Sequence, residues 1–251
     1  LVLFEFSLIE RVRSLIRLEA LFERLLELSK QQDPLMQQVA IKVLFELVDA
    51  CERAEIRSGL MQEIDKQKQS IEAYRGCEGV NDTAIDKAIH RLQTVADKLT
   101  ECERLGQSVR DNKWLIQVRN RFSSFGFATP AEVPVYYLWQ TTPVQERMDM
   151  LNTWIVPLLP LYNAIKLLLE NLRNSAPMVE MVSKADGTYC EVLKGKSYQL
   201  ARIQISGSLR IYPELTANRH MMSVSFKCLD ERLESDFARQ KIPFQMALCH
   251  L

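Results

Sequence analysis

The sequence is poor in the residues that most often announce a chemistry. It has three histidines in 251 residues, His90, His220 and His250, too scattered to read as a metal set or a catalytic triad. They read instead as a helix-surface residue, a turn residue and a residue at a frayed end. The cysteines, Cys51, Cys77, Cys102, Cys190, Cys228 and Cys249, contain no C-x-x-C pair and are expected to be free, mostly buried thiols in a reducing compartment. G-x-x-x-x-G-K-[ST], G-x-G-x-x-G and G-x-S-x-G are absent, and "RLGQSVR", with one glycine, is no phosphate loop. With 8 Gly and 9 Pro the chain is neither fibrous nor low in complexity. The expectation is a protein without cofactor or metal that is not an enzyme.

An excess of one charge is missing too. The 32 Lys and Arg are balanced by 32 Asp and Glu, which removes the whole-molecule field of a general nucleic-acid or anionic-membrane binder and leaves only local patches. No apolar run reaches the roughly 18 residues of a membrane span, and no basic segment precedes the opening apolar residues. A cytoplasmic protein with neither membrane nor nucleic-acid partner is expected. Leu1 in place of an initiator Met suggests a trimmed N-terminus.

What is present is ordinary globular material, 47% hydrophobic, enough for one large domain or two modest ones. The opening "VLFEF" alternates with period two and is predicted to leave the helices and join a distant sheet, beside the closing strand. Ser7-Leu8-Ile9-Glu10 reads as a capping box that starts a helix running to about Ser29. That helix is broadly apolar, with a polar stripe of Glu10, Arg13, Arg17, Arg24 and Glu27. Asp33-Pro34 opens a second helix. Narrow apolar stripes from about Glu55 to Tyr74 and after Asn81 or Asp82, separated by Gly76 and Gly79, predict a projecting antiparallel helical hairpin. Leu105-Gly106 is expected to end the fourth helix, and a fifth follows to about Phe122, with Trp114, Val118 and Phe122 inward and Arg110, Lys113, Gln117 and Arg121 on its polar edge. "VYYLWQ" fits helix or strand. Thr142-Pro143 restarts a helix that is interrupted at Pro157 and Pro160, and a last one runs from about Leu161 to Arg173.

At "NSAP" the period changes to short β runs divided by turns. The fold class is α+β: a strand at 1–6, a mostly helical domain at 7–176 and a smaller antiparallel β domain at 177–251 that the first strand is expected to join. Alternation puts Gln199, Ala201, Ile203 and Ile205 inward, with Arg202, Gln204 and Ser206 outside. It likewise puts Met222, Val224, Phe226 and Cys228 inward, with Ser223, Ser225 and Lys227 outside.

The remaining signal is a set of cations at helical spacing: Arg13 and Arg17, Arg53 and Arg57, then Arg110, Lys113, Arg119 and Arg121. They read either as partners in internal ion pairs, such as Arg53 with Glu19 or Glu23, or as a concave basic surface for an acidic peptide. Pattern alone does not choose.

Blocks along the whole chain are similar to one family. "VLFE", "VRSLIRLEALF", "CERAEIRSGLMQEID", "GVN", "RLGQSVRDNKWLIQVRNR", "VPVYYLW", "SAP", "YP" and the closing "IPFQMALC" resemble, in order, the ZapD family of bacterial cell-division factors. The resemblance implies a cytoplasmic, non-enzymatic homodimer at the division site that binds the C-terminal tail of the tubulin-like protein FtsZ. Cross-linking or bundling of FtsZ filaments to stabilise the Z-ring is the function it implies. It carries binding roles onto Arg13, Arg17, Arg53, Arg57, Arg110 and Arg121, with Lys113 at a position where the family also accommodates Arg. In "NRHMMSVSFK", Met221 and Ser225 stand where basic residues are expected, and Arg202, Arg219 and Lys227 are the substitutes. The competing reading is a nucleic-acid-binding regulator using the same cations; neutral net charge and the lack of a docking motif count against it.

Overall fold

The computed structural model describes residues 1–51, 55–102, 105–125, 129–229 and 234–251. The chain divides into two compact units, Leu15–Leu168 and the pair of segments Leu1–Ser14 and Leu169–Leu251.

The first helix, α1 (Glu10–Ser29), starts three residues after Ser7. The capping box does not form, because Ser7 is the last residue of strand β1 (Val2–Ser7) and is held in register opposite Leu200. Arg13, Arg17, Arg24 and Glu27 are exposed along α1, while Leu15, Leu18, Phe22 and Leu25 are buried, as its period requires. In α2 (Pro34–Cys51) the cap does form: Asp33 Oδ1 accepts from the N–H groups of Leu35 at 2.7 Å and Met36 at 3.2 Å.

Helices α3 (Glu55–Glu72) and α4 (Asp82–Glu101) make the antiparallel hairpin. Its register is marked by Arg57 Nη2 to the Thr100 carbonyl (2.7 Å), Lys68 Nζ to Gln93 Oε1 (2.6 Å) and Arg75 Nη2 to Asp86 Oδ1 (2.7 Å). Leu60 and Ile64 of α3 are buried, as are Leu92, Ala96 and Leu99 of α4, but Tyr74, expected in this seam, lies beyond α3 and is exposed.

The expected fifth helix is two, α5 (Gln107–Arg110) and α6 (Lys113–Phe125). Asn112 explains the break: its Oδ1 accepts from the Leu115 N–H at 3.0 Å and so caps α6. Gly106 precedes α5 with φ +74°, and a Cβ there would lie 3.2 Å from Val48 Cγ1. "VYYLWQ" lies in a helix, α7 (Pro134–Gln140), with proline in its first turn. α8 (Val144–Ile155), a 3₁₀ turn at Val156–Leu158 and α9 (Leu159–Arg173) follow without a gap. The helical path Val144–Arg173 is therefore long and apolar enough to cross a membrane, which the proline-broken sequence did not foretell. Half of its apolar window is buried within the protein, as in a core helix.

The other unit holds two antiparallel sheets. One has the order β1–β4–β8–β2, from β2 (Val179–Val182), β4 (Leu200–Ile205) and β8 (Pro243–Cys249). The other is β3–β6–β5, from β3 (Thr188–Val192), β5 (Ile211–Ala217) and β6 (Met221–Leu229), with β7 (Ser235–Phe237) also pairing with β6. β1 joins the β unit, but against β4, which separates it from the closing strand. Ala201, Ile203 and Ile205 of one sheet and Met222, Val224 and Phe226 of the other share one core, with Phe244 and Met246. Gln199 is half-buried, and Leu200 is fully buried although it falls between the inward positions Gln199 and Ala201.

Candidate functional site

α6 is fixed in rotation by its apolar residues. The Trp114 ring stacks on Trp154 with centroids 5.3 Å apart, the Phe122 ring meets Tyr136 edge-on at 5.1 Å, and Leu115 and Val118 are fully buried. The opposite side carries Lys113, Gln117 and Arg121, all exposed, at successive four-residue steps.

The ten residues singled out from the sequence fall into distinct environments. Arg13 pairs with Glu10 one turn away in α1, whereas Arg17, Lys113 and Arg219 are exposed and make no ion pair with a described residue. Arg219 lies in the turn between β5 and β6. Arg121 is exposed in the field of Glu132. The Glu132 carboxyl sits below its ordinary range, first because it accepts from the N–H and hydroxyl of Thr129, then because of Arg121. Arg57 is half-buried on the Thr100 carbonyl, and Arg110 is half-buried with Nη2 donating to the Leu105 carbonyl at 2.6 Å. Arg53 lies outside the described residues.

Two of the β-unit cations are engaged internally. Arg202 Nε donates to Glu5 Oε1 at 3.0 Å and Nη1 to the Arg173 carbonyl at 3.2 Å, and Arg173 Nη2 reaches Glu5 Oε2 at 2.7 Å. Lys227 pairs with Glu214 at 2.8 Å and lies over the Phe237 ring, 5.5 Å from its centroid. Its pKa is raised, chiefly by the hydrogen bond to Glu214.

Arg110 is brought together with Arg119. The two line a cleft of about 240 Å³ with Phe45 and Val48 of α2, Val109 of α5, and Leu115 and Ile116 of α6. Arg119 Nη2 pairs with Asp49 Oδ1 at 2.6 Å, and its guanidinium carbon lies 5.7 Å from the Phe45 centroid. The spacing of Phe45 and Asp49, one turn apart on α2, was the available signal, but it says nothing until α6 is known to lie alongside. Nearby Cys51 is buried, which pushes its thiol up to about 12 against a smaller opposing pull from Arg110. Guanidinium groups at the wall of an apolar cleft can bind a carboxylate through two parallel hydrogen bonds while the floor takes an aliphatic side chain. Among the described residues no three of His, Cys, Asp and Glu converge as a metal-binding group would.

A family model described as "ZapD: Cell division protein" matches residues 16–225. The cell division protein ZapD of Bordetella pertussis (strain Tohama I) is 33% identical over 248 residues, spanning 99% of this chain and 98% of the relative. That of Bordetella petrii is 34% identical over 249 residues, spanning 99% of each. With most of its length matched by the family model and nearly all of it aligned to these relatives, the chain belongs to the ZapD family of cell division proteins.

Proposed function

We propose that this protein is a non-enzymatic, cytoplasmic FtsZ-binding factor that acts at the division site and cross-links FtsZ filaments through their C-terminal tails. The observation that carries this reading is a set of available cations on the helical unit: Arg17 on α1 and Lys113 and Arg121 on α6 are exposed, and Arg110 and Arg119 line an apolar cleft. Such a surface suits a flexible peptide that combines carboxylates with apolar side chains. Bundling needs two tail sites per particle, because one site decorates a filament whereas two bridge filaments. A homodimer supplies the second site, and many tails along a filament turn modest single-site affinity into avidity.

Co-sedimentation with polymerised FtsZ tests the proposal. The full chain is expected to pellet with filaments and to bundle them in electron micrographs, and to do neither with FtsZ lacking its tail. Equal sedimentation with tail-less FtsZ sinks the reading.

A further inference from the structure

Resting on that reading, the structure points to a more specific device: we propose that Asp49 is a built-in competitor for Arg119, occupying the guanidinium that an acidic–aliphatic peptide takes when it enters the cleft between α2, α5 and α6.

The Asp49–Arg119 pair is short, 2.6 Å, yet its side chains are 47% and 40% exposed. A pair this accessible is screened by water and salt and is worth little by itself, so an incoming carboxylate can exchange for Asp49 at small cost. Arg119 is held against α2 a second way, through the Phe45 ring, so it keeps its place when Asp49 is released. The cleft it borders has an apolar floor in Val48, Val109 and Leu115, all almost fully buried, and an open side where Ile116 is 42% exposed. An exposed isoleucine beside two arginines gives an aliphatic side chain a seat and its neighbouring carboxylate a partner. Both charged lining residues, Arg110 and Arg119, are cationic, which selects an acidic occupant over a basic one.

The sign of one mutation separates this role from a helix-to-helix staple. Anisotropy with a labelled FtsZ tail peptide should show Asp49→Asn tightening Kd about two- to fivefold, the range that a half-exposed ion pair commands. The gain should vanish in an Arg119→Gln background, and Ile116→Ser should weaken binding about three- to tenfold. Glu46→Gln removes a charge one turn away without releasing Arg119 and should change Kd little. If Asp49→Asn weakens binding or leaves it unchanged, or if Glu46→Gln gives the same gain, the proposal is wrong. A peptide of alternating Glu and Leu, unrelated to FtsZ, is the second probe. Should it bind with the same Asp49 response while the tail peptide does not, the competitor role stands and the FtsZ reading falls. Tail binding that ignores Asp49 and Ile116 has the opposite meaning, and binding of neither probe overturns both.

Discussion

Arg147 donates its Nε–H to Oε1 of Gln37 at 2.6 Å, and both side chains are almost completely buried. The remaining guanidinium donors reach the carbonyls of Gln140 at 3.1 Å, Gln32 at 3.0 Å and Thr142. One cation thus ties the α1–α2 connection, α2 and the α7–α8 connection together through neutral oxygens. Replacing it strands several buried acceptors at once. Arg147→Met should lower stability by roughly 2–4 kcal/mol, and Arg147→Lys should not rescue it, because an ammonium presents its donors from one point. Urea unfolding of the three chains tests this; a wild-type midpoint for Arg147→Met contradicts it.

Glu5 is the corresponding tie in the β unit, a carboxylate only 15% exposed that receives Arg173 and Arg202. Glu5→Gln leaves two largely buried guanidinium groups facing an uncharged amide. A loss of about 2–3 kcal/mol is expected, with increased hydrogen exchange along β1, the edge strand that Glu5 anchors. Exchange confined to other strands would show that the tie lies elsewhere.

Exposed and internally engaged cations should separate cleanly in a paired assay. Neutralising Arg17, Lys113 and Arg121 to Gln should abolish most FtsZ co-sedimentation and shift the urea midpoint by no more than about 0.5 kcal/mol equivalent, since surface substitutions rarely cost more. Arg202→Gln should do the reverse, lowering stability while leaving filament capture near wild type. Loss of capture by Arg202→Gln at full stability would return that residue to the binding surface.

The thiols should differ in reactivity because they differ in access. Iodoacetamide at pH 8 should modify exposed Cys77 and Cys190 and spare Cys51, whose thiol is raised from 9.0 to about 12 by burial. Because the folded value lies above the unfolded one, the neutral thiol's contribution is complete below about pH 9 and declines as pH rises towards 12. Cys51→Ala should therefore flatten the fall of stability above pH 9, measured by urea midpoints across that range. An unchanged slope would assign the decline to other groups.

Periodicity and local capping made much of this fold legible. Asp33 and Asn81 cap the helices they precede because a cap needs only the next two or three residues. Ser7 shows where that logic stops: Ser-x-x-Glu is a good local signal, but pairing with Leu200 competes for the same residue and wins. Arg202 was correctly placed off the core face, yet alternation along one strand could not reveal that Glu5, 197 positions away, would claim it. Arg147 was unreadable for the same reason, since two of its acceptors, on Gln32 and Gln37, lie more than 100 positions away in sequence. Arg17, Lys113 and Arg121 were readable because exposure on a helix depends only on position relative to the apolar stripe.

The placement of β1 at the edge of β4 also sets a timetable. At bacterial translation rates of ~5–20 residues per second, the 197 positions between Glu5 and Arg202 correspond to roughly 10–40 s of synthesis. During that interval β1 has no partner strand to pair with, and Leu15–Leu168 can fold well before it does. The β unit must close late, around a segment made long before its partner, so the nascent chain carries an unpaired apolar strand throughout that interval.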